Sequence, residues 1–169
     1  STVDAIPYLI AEKNVKLFTK HKVFSEAELH SRYEILLENY CKVINIEALT
    51  LLDMARKEII PAVTSYIREL SETALAKKQL IPDANCDVEK DLISRLSALC
   101  SELYKKAEAL NNTLSETKKY DNILDCARYY KDTVLATMQE IRQAADQLEL
   151  ITDKSRWPFP TFSELLFSL

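Results

Sequence analysis

Residues 24–61 read FSEAELHSRYEILLENYCKVINIEALTLLDMARKEIIP, a run with no glycine and no proline until its last position. Those are the two residues that most disfavour a helix interior, so the run predicts one long helix. Ser25 followed by Glu28 is a capping-box signature, with Val23 and Phe24 just ahead as staple positions. Leu29, Tyr33, Leu36, Tyr40, Val43 and Leu51 mark one apolar face. Ile35, Leu37, Ile44, Ile46, Leu49 and Leu52 mark a second. A helix apolar on two sides lies between partners rather than on a surface. Pro61 cannot donate a backbone hydrogen bond and is expected to kink the axis. Ala62, Val63, Tyr66, Ile67 and Leu70 then carry the pattern on to about Lys78.

Before this run, residues 4–21 show an irregular amphipathic pattern (Ile6, Ile10, Val15, Leu17, Phe18), with Asp4 as the expected N-cap and Pro7 in the first turns. After it, Pro82, Asp83, Asn85 and Asp87 supply turn and cap chemistry in residues 80–87. A third helix is expected from Cys86 or Asp87. Its stripe is Val88, Leu92, Leu96, Leu99, Leu103, Ala107, Leu110 and Leu114, in steps of three and four. A polar break at residues 117–122 separates it from a fourth stripe of Ala127, Tyr130, Val134, Met138, Ile141, Ala145 and Leu148. Two single-stripe helices joined by a short loop predict an antiparallel hairpin. The expected fold is all-α: an elongated antiparallel bundle of three long helices, a shorter N-terminal helix and an extended aromatic tail. That tail, residues 152–169, holds Trp157, Phe159, Phe162 and Phe167, with Pro158 and Pro160 keeping the backbone extended. It is too apolar to stay solvated and is expected to dock in a groove.

Composition narrows function by exclusion. The 169 residues are 47% hydrophobic and 28% charged, ordinary for a globular domain, but glycine is absent where average usage gives about a dozen. Glycine-rich phosphate cradles therefore cannot be built from these residues. Net charge is −4 with no basic stripe, so a nucleic-acid partner is not expected. No apolar run reaches the roughly 18–20 residues of a membrane span. The start, STVDAIPYLIAEKN, lacks the basic and small-residue pattern of a signal peptide and begins without methionine, which suggests a piece of a longer protein. Cys41, Cys86, Cys100 and Cys126 form no CxxC pair and read as reduced structural thiols.

The polar residues offer little chemistry. Di-iron bundles use Glu-x-x-His pairs, but Phe18 and Ala27 stand three residues before His21 and His30. A cysteine nucleophile would need a histidine and an orienting group, and no such triad is marked. Glu34 and Glu38 share a helical face, an arrangement that usually stays solvated or meets arginine, here Arg32. His30, Arg32, Glu34, Asn39 and Asn45 sit on the two-faced helix, where buried polar groups need partners. Interface is the better reading of that set. The interface candidates are His30, Arg32, Tyr33, Glu34, Asn39 and Tyr40, together with the tail aromatics Trp157, Phe159, Phe162 and Phe167. No catalytic, cofactor-binding or metal-ligating residue is assigned.

Several segments, taken in order, resemble one family. VFSEAELHSRYEILLENYCKVINIEALTLLDMARKEIIPAV, with its ELHSRYEI, LENY, IEALTLLDMA and IIPAV pieces, is similar to the C-terminal part of type III glutamine synthetases, the large bacterial form. The ending WPFPTFSELLFSL is similar to that family's C-terminal tail, whereas residues 70–150 add little specificity. The resemblance implies that residues 1–45 are terminal helices of a catalytic domain or the start of the bundle, 46–151 a helical extension, and 152–169 a docking tail. It implies a cytoplasmic parent enzyme joining glutamate and ammonia with ATP, through a γ-glutamyl phosphate, at a magnesium or manganese site. The family's metal, ammonia and phosphate motifs lie upstream of the similar region, so none is carried onto a residue here, and this portion alone is expected to be inert. The expected partners are the catalytic domain and neighbouring subunits of a homo-oligomer. Two rivals are a free-standing helical adaptor or coiled-coil scaffold and a helical-bundle enzyme or metal buffer. The second would need inward histidines and carboxylates.

Overall fold

The computed structural model describes residues 1–167, apart from the side chains of Phe162 and Ser163. The described residues are helical, with no strand among them. The α-helices are α1 (Thr2–Ala5), α2 (Glu12–Lys20), α3 (Glu26–Asp53), α4 (Ile60–Leu80), α5 (Asp87–Glu116), α6 (Ile123–Tyr129), α7 (Leu135–Ile151) and α8 (Phe162–Phe167). Two compact units share them: residues 1–49 with 112–136, and residues 50–111 with 137–169.

The start of α3 follows its sequence signature. Ser25 N–H donates to Glu28 Oε2 at 2.7 Å, and Glu28 N–H donates back to Ser25 Oγ at 3.3 Å. This pairing satisfies amide donors that the first turn leaves open. The N-terminal expectation needs correction. Residues 4–21 are not one helix but three pieces: α1, a 3₁₀ segment Ile6–Ile10, and α2. Pro7 has no N–H for an α-helical bond, and the chain tightens into 3₁₀ geometry around it. Ala11 is extended (ψ 139°), and Asn14 Nδ2 donates to the Tyr8 carbonyl at 2.6 Å across the break. Ser1 rather than Asp4 is the N-cap; Asp4 completes the capping box from the third helical position.

α2 ends at Lys20 in a Schellman motif. Val23 N–H donates to Phe18 O at 3.0 Å and Lys22 N–H to Thr19 O at 3.1 Å. Lys22 takes φ 55°, the left-handed conformation that glycine usually supplies.

Between α3 and α4 lies a π-helical turn, Met54–Ile59, where Ile60 N–H donates to Ala55 O five residues back. Pro61 is the second residue of α4. The wider turn falls where an α-helical Pro61 would crowd the Lys57 carbonyl, and π turns are one recognised response to such crowding. A second π turn, Tyr130–Val134, separates α6 from α7, with Leu135 N–H donating to Tyr130 O. α6 begins at Asn122, whose side chain accepts from Leu124 N–H at 2.9 Å and Asp125 N–H at 3.2 Å.

In the first unit the core is built from Val3, Leu29, Leu37, Ile44, Ala127 and Val134, each 9% exposed or less. In the second, Val63, Leu96, Leu103, Leu110, Ile141 and Leu148 are completely buried. Each fully buried leucine or isoleucine contributes about 2 kcal/mol of apolar transfer. The stripe expected on α5 holds from Leu96 to Leu114 but not at its start. Val88 is 70% exposed, and Glu89 is buried in its stead. Positions 89, 96, 103 and 110 are spaced by sevens, so the buried seam runs straight back onto the glutamate.

Candidate functional site

α3 carries two apolar faces with different fates. Leu29, Leu37, Cys41, Ile44 and Ala48 are buried, whereas Ile35, Leu36, Val43, Ile46 and Leu49 are exposed. The sequence assignment mixed these two sets, because one-residue neighbours such as Leu36 and Leu37 lie 100° apart on a helix. At the N-terminal end of the exposed face, Leu9, Phe24, Glu28, Arg32, Ile35 and Leu36 line a groove of about 600 Å³. The Arg32 guanidinium sits 4.5 Å above the Phe24 ring, a cation–π arrangement, and Phe24 also meets Phe18 at 5.8 Å between centroids.

The polar candidates distribute unevenly. His30, Arg32, Glu34 and Asn39 are exposed; Tyr33 and Tyr40 are half-buried. Burial raises the Tyr40 phenol above its usual range. Of the wider polar set, Asn45 finds an internal partner: Tyr130 Oη donates to its Oδ1 at 3.2 Å. Sequence reasoning missed this pairing, since nothing local to residue 45 announces a tyrosine 85 positions later. Lys131, next to that tyrosine, reaches Asp4 at 2.9 Å, and this hydrogen bond, with that from Ser1, depresses the Asp4 carboxyl far below its ordinary value.

In the tail, Trp157 is buried and Phe159 half-buried, with an edge contact between them at 6.5 Å. Arg156 grips Glu69 of α4 with two nitrogens, Nε to Oε2 at 3.1 Å and Nη2 to Oε1 at 2.9 Å. Lys154, Trp157, Phe159, Pro160, Glu164 and Leu165 line a pocket of about 560 Å³. Lys154 pairs with Glu164 at 2.7 Å, and Thr161 N–H donates to the same carboxylate at 2.9 Å. Lys154 first, then the Thr161 donors, pull Glu164 down to about 2. Phe167 is exposed, and the side chain of Phe162 lies outside the described residues.

Cys41 is held up at about 12, chiefly by burial, with the neighbouring Cys126 thiol adding to the effect. A thiol so protonated is a poor nucleophile. Glu89 accepts from Lys77, which lowers the carboxyl and raises the ammonium. Its second oxygen, Oε2, is buried without a partner. Arg56 Nη2 meets Glu108 at 2.7 Å on the flank of the second unit. Among the described residues no three His, Cys, Asp or Glu side chains come together as a metal site, and no helix is long and apolar enough to cross a membrane.

Among the described residues the fold is all-helical, and its long helix α3 is apolar on both a buried and an exposed face. Residues 1–78 match the family model described as "Glutamine synthetase C-terminal domain". The chain is 39% identical over 169 residues to a glutamine synthetase of Butyrivibrio fibrisolvens, covering 98% of this chain and 24% of that protein. It is 32% identical to a type-3 glutamine synthetase of Dictyostelium discoideum, covering 99% of this chain and 23% of that protein. A glutamine synthetase of Bacteroides fragilis is 30% identical over 87% of this chain and 21% of its own length. The similarity to the glutamine synthetase C-terminal domain is thus carried by residues 1–78, and the chain spans about a quarter of the length of the curated relatives it matches.

Proposed function

We propose that this chain is the C-terminal helical domain of a type III glutamine synthetase, in which it packs subunits together or orients the catalytic core and takes no part in the chemistry. The observation that supports this most is the end-to-end similarity to the Butyrivibrio protein, of which it spans 24%. In the parent enzyme, glutamate, ammonia and ATP are joined at a magnesium or manganese site carried by the remaining polypeptide, in the cytoplasm. Residues 1–45 serve as the last helices of that catalytic domain or as the start of the bundle, 46–151 as the extension and 152–169 as the docking tail.

The long helices run as an antiparallel bundle of three. The Tyr130–Asn45 bond supports this in the first unit. The Arg56–Glu108 pair and the Lys106 Nζ bond to the Glu140 carbonyl support it in the second. Trp157 and the Arg156–Glu69 pair anchor the tail on the second unit.

Deleting residues 1–169 from the full-length enzyme tests the reading. Glutamine formation and the mass of the assembly by light scattering are then compared with those of the intact protein. Loss of assembly, or of activity through a disordered core, is expected. An enzyme of unchanged mass and turnover would refute it.

A further inference from the structure

Cys41 of α3 and Cys126 of α6 are unbridged thiols that share a hydrogen bond inside the first unit. One turn further along both segments, Tyr130 Oη meets Asn45 Oδ1 at 3.2 Å, across the same separation of 85 residues. The two contacts therefore lie on one seam, and the thiols face each other across it. Cys41 is buried and Cys126 half-buried. The other two cysteines, in the second unit, have oxygen neighbours instead. Cys86 Sγ lies 3.7 Å from the Ala74 carbonyl, and Cys100 meets the Thr64 side chain. Facing sulfur atoms are the first requirement of a disulfide, and only the pair in the first unit is seen to meet it.

We propose that Cys41 and Cys126 are an oxidisable pair, closed by hydrogen peroxide into a reversible disulfide that ties α6 to α3. Exposure and hydrogen-bond direction set the order of events. Cys126 is the more accessible to peroxide. Cys41 donates to it, which favours the thiolate at Cys126, while Cys126 turns its own hydrogen toward the Thr117 carbonyl at 4.0 Å. The Cys126 thiolate attacks peroxide: an S–O bond forms, the O–O bond breaks, and hydroxide leaves with a proton as water. The Cys41 sulfur then attacks the resulting sulfenic acid. The S–S bond forms, the S–O bond breaks, and the departing hydroxide takes the Cys41 proton as a second water. Two thiols lose two electrons in all, and one peroxide is reduced to two waters.

Burial keeps the thiolate scarce at both positions, so the pair answers sustained rather than trace peroxide. The bridge joins residues far apart in sequence and thereby restrains opening of the first unit. It also spares Cys126 the further steps to sulfinic and sulfonic acid, which thiols do not reverse. A dithiol reductant returns both cysteines by exchange. The pair is independent of the packing role proposed above.

The test uses the reduced full-length protein, treated natively with hydrogen peroxide at a level that fully oxidises glutathione in a parallel tube. Remaining thiols are blocked with iodoacetamide in urea, and the protein is digested without reductant for peptide mass spectrometry. The expected main product is a linked Cys41–Cys126 peptide pair, two hydrogens lighter than its reduced parts and released by dithiothreitol. Dimedone should trap a sulfenic acid at Cys126 in Cys41→Ser and should leave Cys41 unlabelled in Cys126→Ser. Amide hydrogen exchange in α6 should slow on oxidation of the unsubstituted protein and stay unchanged in Cys41→Ser. Reduced thiols at both positions, or over-oxidised Cys126 without a link, would overturn the proposal. So would links to Cys86 or Cys100 in comparable yield, which report exchange through unfolded chains. Dimedone on Cys41 in Cys126→Ser would overturn the order of attack, and unslowed exchange in the linked protein would overturn the restraint.

Discussion

Tyr130 donates its phenolic hydrogen to Asn45 Oδ1 at 3.2 Å, joining the π turn after α6 to the middle of α3. Tyr130 is 5% exposed, so its hydroxyl has little access to water as an alternative partner. Tyr130→Phe removes the donor and leaves a half-buried amide oxygen unpaired, which costs about 1 kcal/mol. Urea unfolding should show a lower midpoint at an unchanged slope. An unaltered midpoint would mean that Asn45 is fully solvated without the tyrosine.

Lys22 holds the left-handed position of a Schellman motif in a chain that has no glycine to place there. Lys22→Gly relieves the Cβ crowding but adds freedom to the unfolded chain, for a net gain of about 0.5–1 kcal/mol. Lys22→Ile should shift stability the other way, since a β-branched residue tolerates positive φ poorly. The pair of melting temperatures checks the sign.

Glu164 titrates at about 2 instead of the usual 4.5 because Lys154 and Thr161 hold its charged form. A depressed folded-state value means the carboxylate stabilises the start of α8 above pH 4.5, and this contribution fades as pH falls toward 2. An NMR titration should place the midpoint near 2 in the parent chain and closer to the ordinary value in Lys154→Met. Coincident midpoints would show that Lys154 does not govern the shift.

Trp157 is buried and the neighbouring Arg156 is clamped on Glu69. Ending the chain before Trp157 should lower stability by about 3 kcal/mol, the low end for removing a large buried aromatic. Arg156→Ala should cost about 1 kcal/mol or less, because the pair is substantially solvated. If truncation left the melting temperature unchanged, the tail's packing would contribute nothing to the second unit.

Cys41 combines burial with a thiol pushed up to about 12. At pH 8 roughly one molecule in ten thousand would carry the thiolate at that position, and the thiolate is the species that reacts. Iodoacetamide should therefore modify Cys41 only as fast as the folded chain opens, and readily in urea. Fast labelling of the native protein at Cys41 would contradict the burial described.

Much of the architecture follows from local pattern alone. The Ser25–Glu28 box, the end of α2 near Lys20, the break at residues 80–87 and the restart at Ile123 are set by capping, turn chemistry and periodicity, which act within a few residues. The N-terminal pieces were less legible, because the 3₁₀ segment and the extended Ala11 depend on how Pro7 and Asn14 settle their backbone bonds together. Hydrophobic periodicity also disclosed that α3 has two apolar faces. It had no means of saying which is covered, since burial depends on what the rest of the chain brings alongside. Only the tertiary structure turned Leu37 inward and left the side chains of Ile35, Leu36 and Ile46 exposed. Only there does Glu89 continue a leucine seam and Asn45 meet Tyr130, because such contacts join residues distant in sequence whose separate neighbourhoods give no sign of each other.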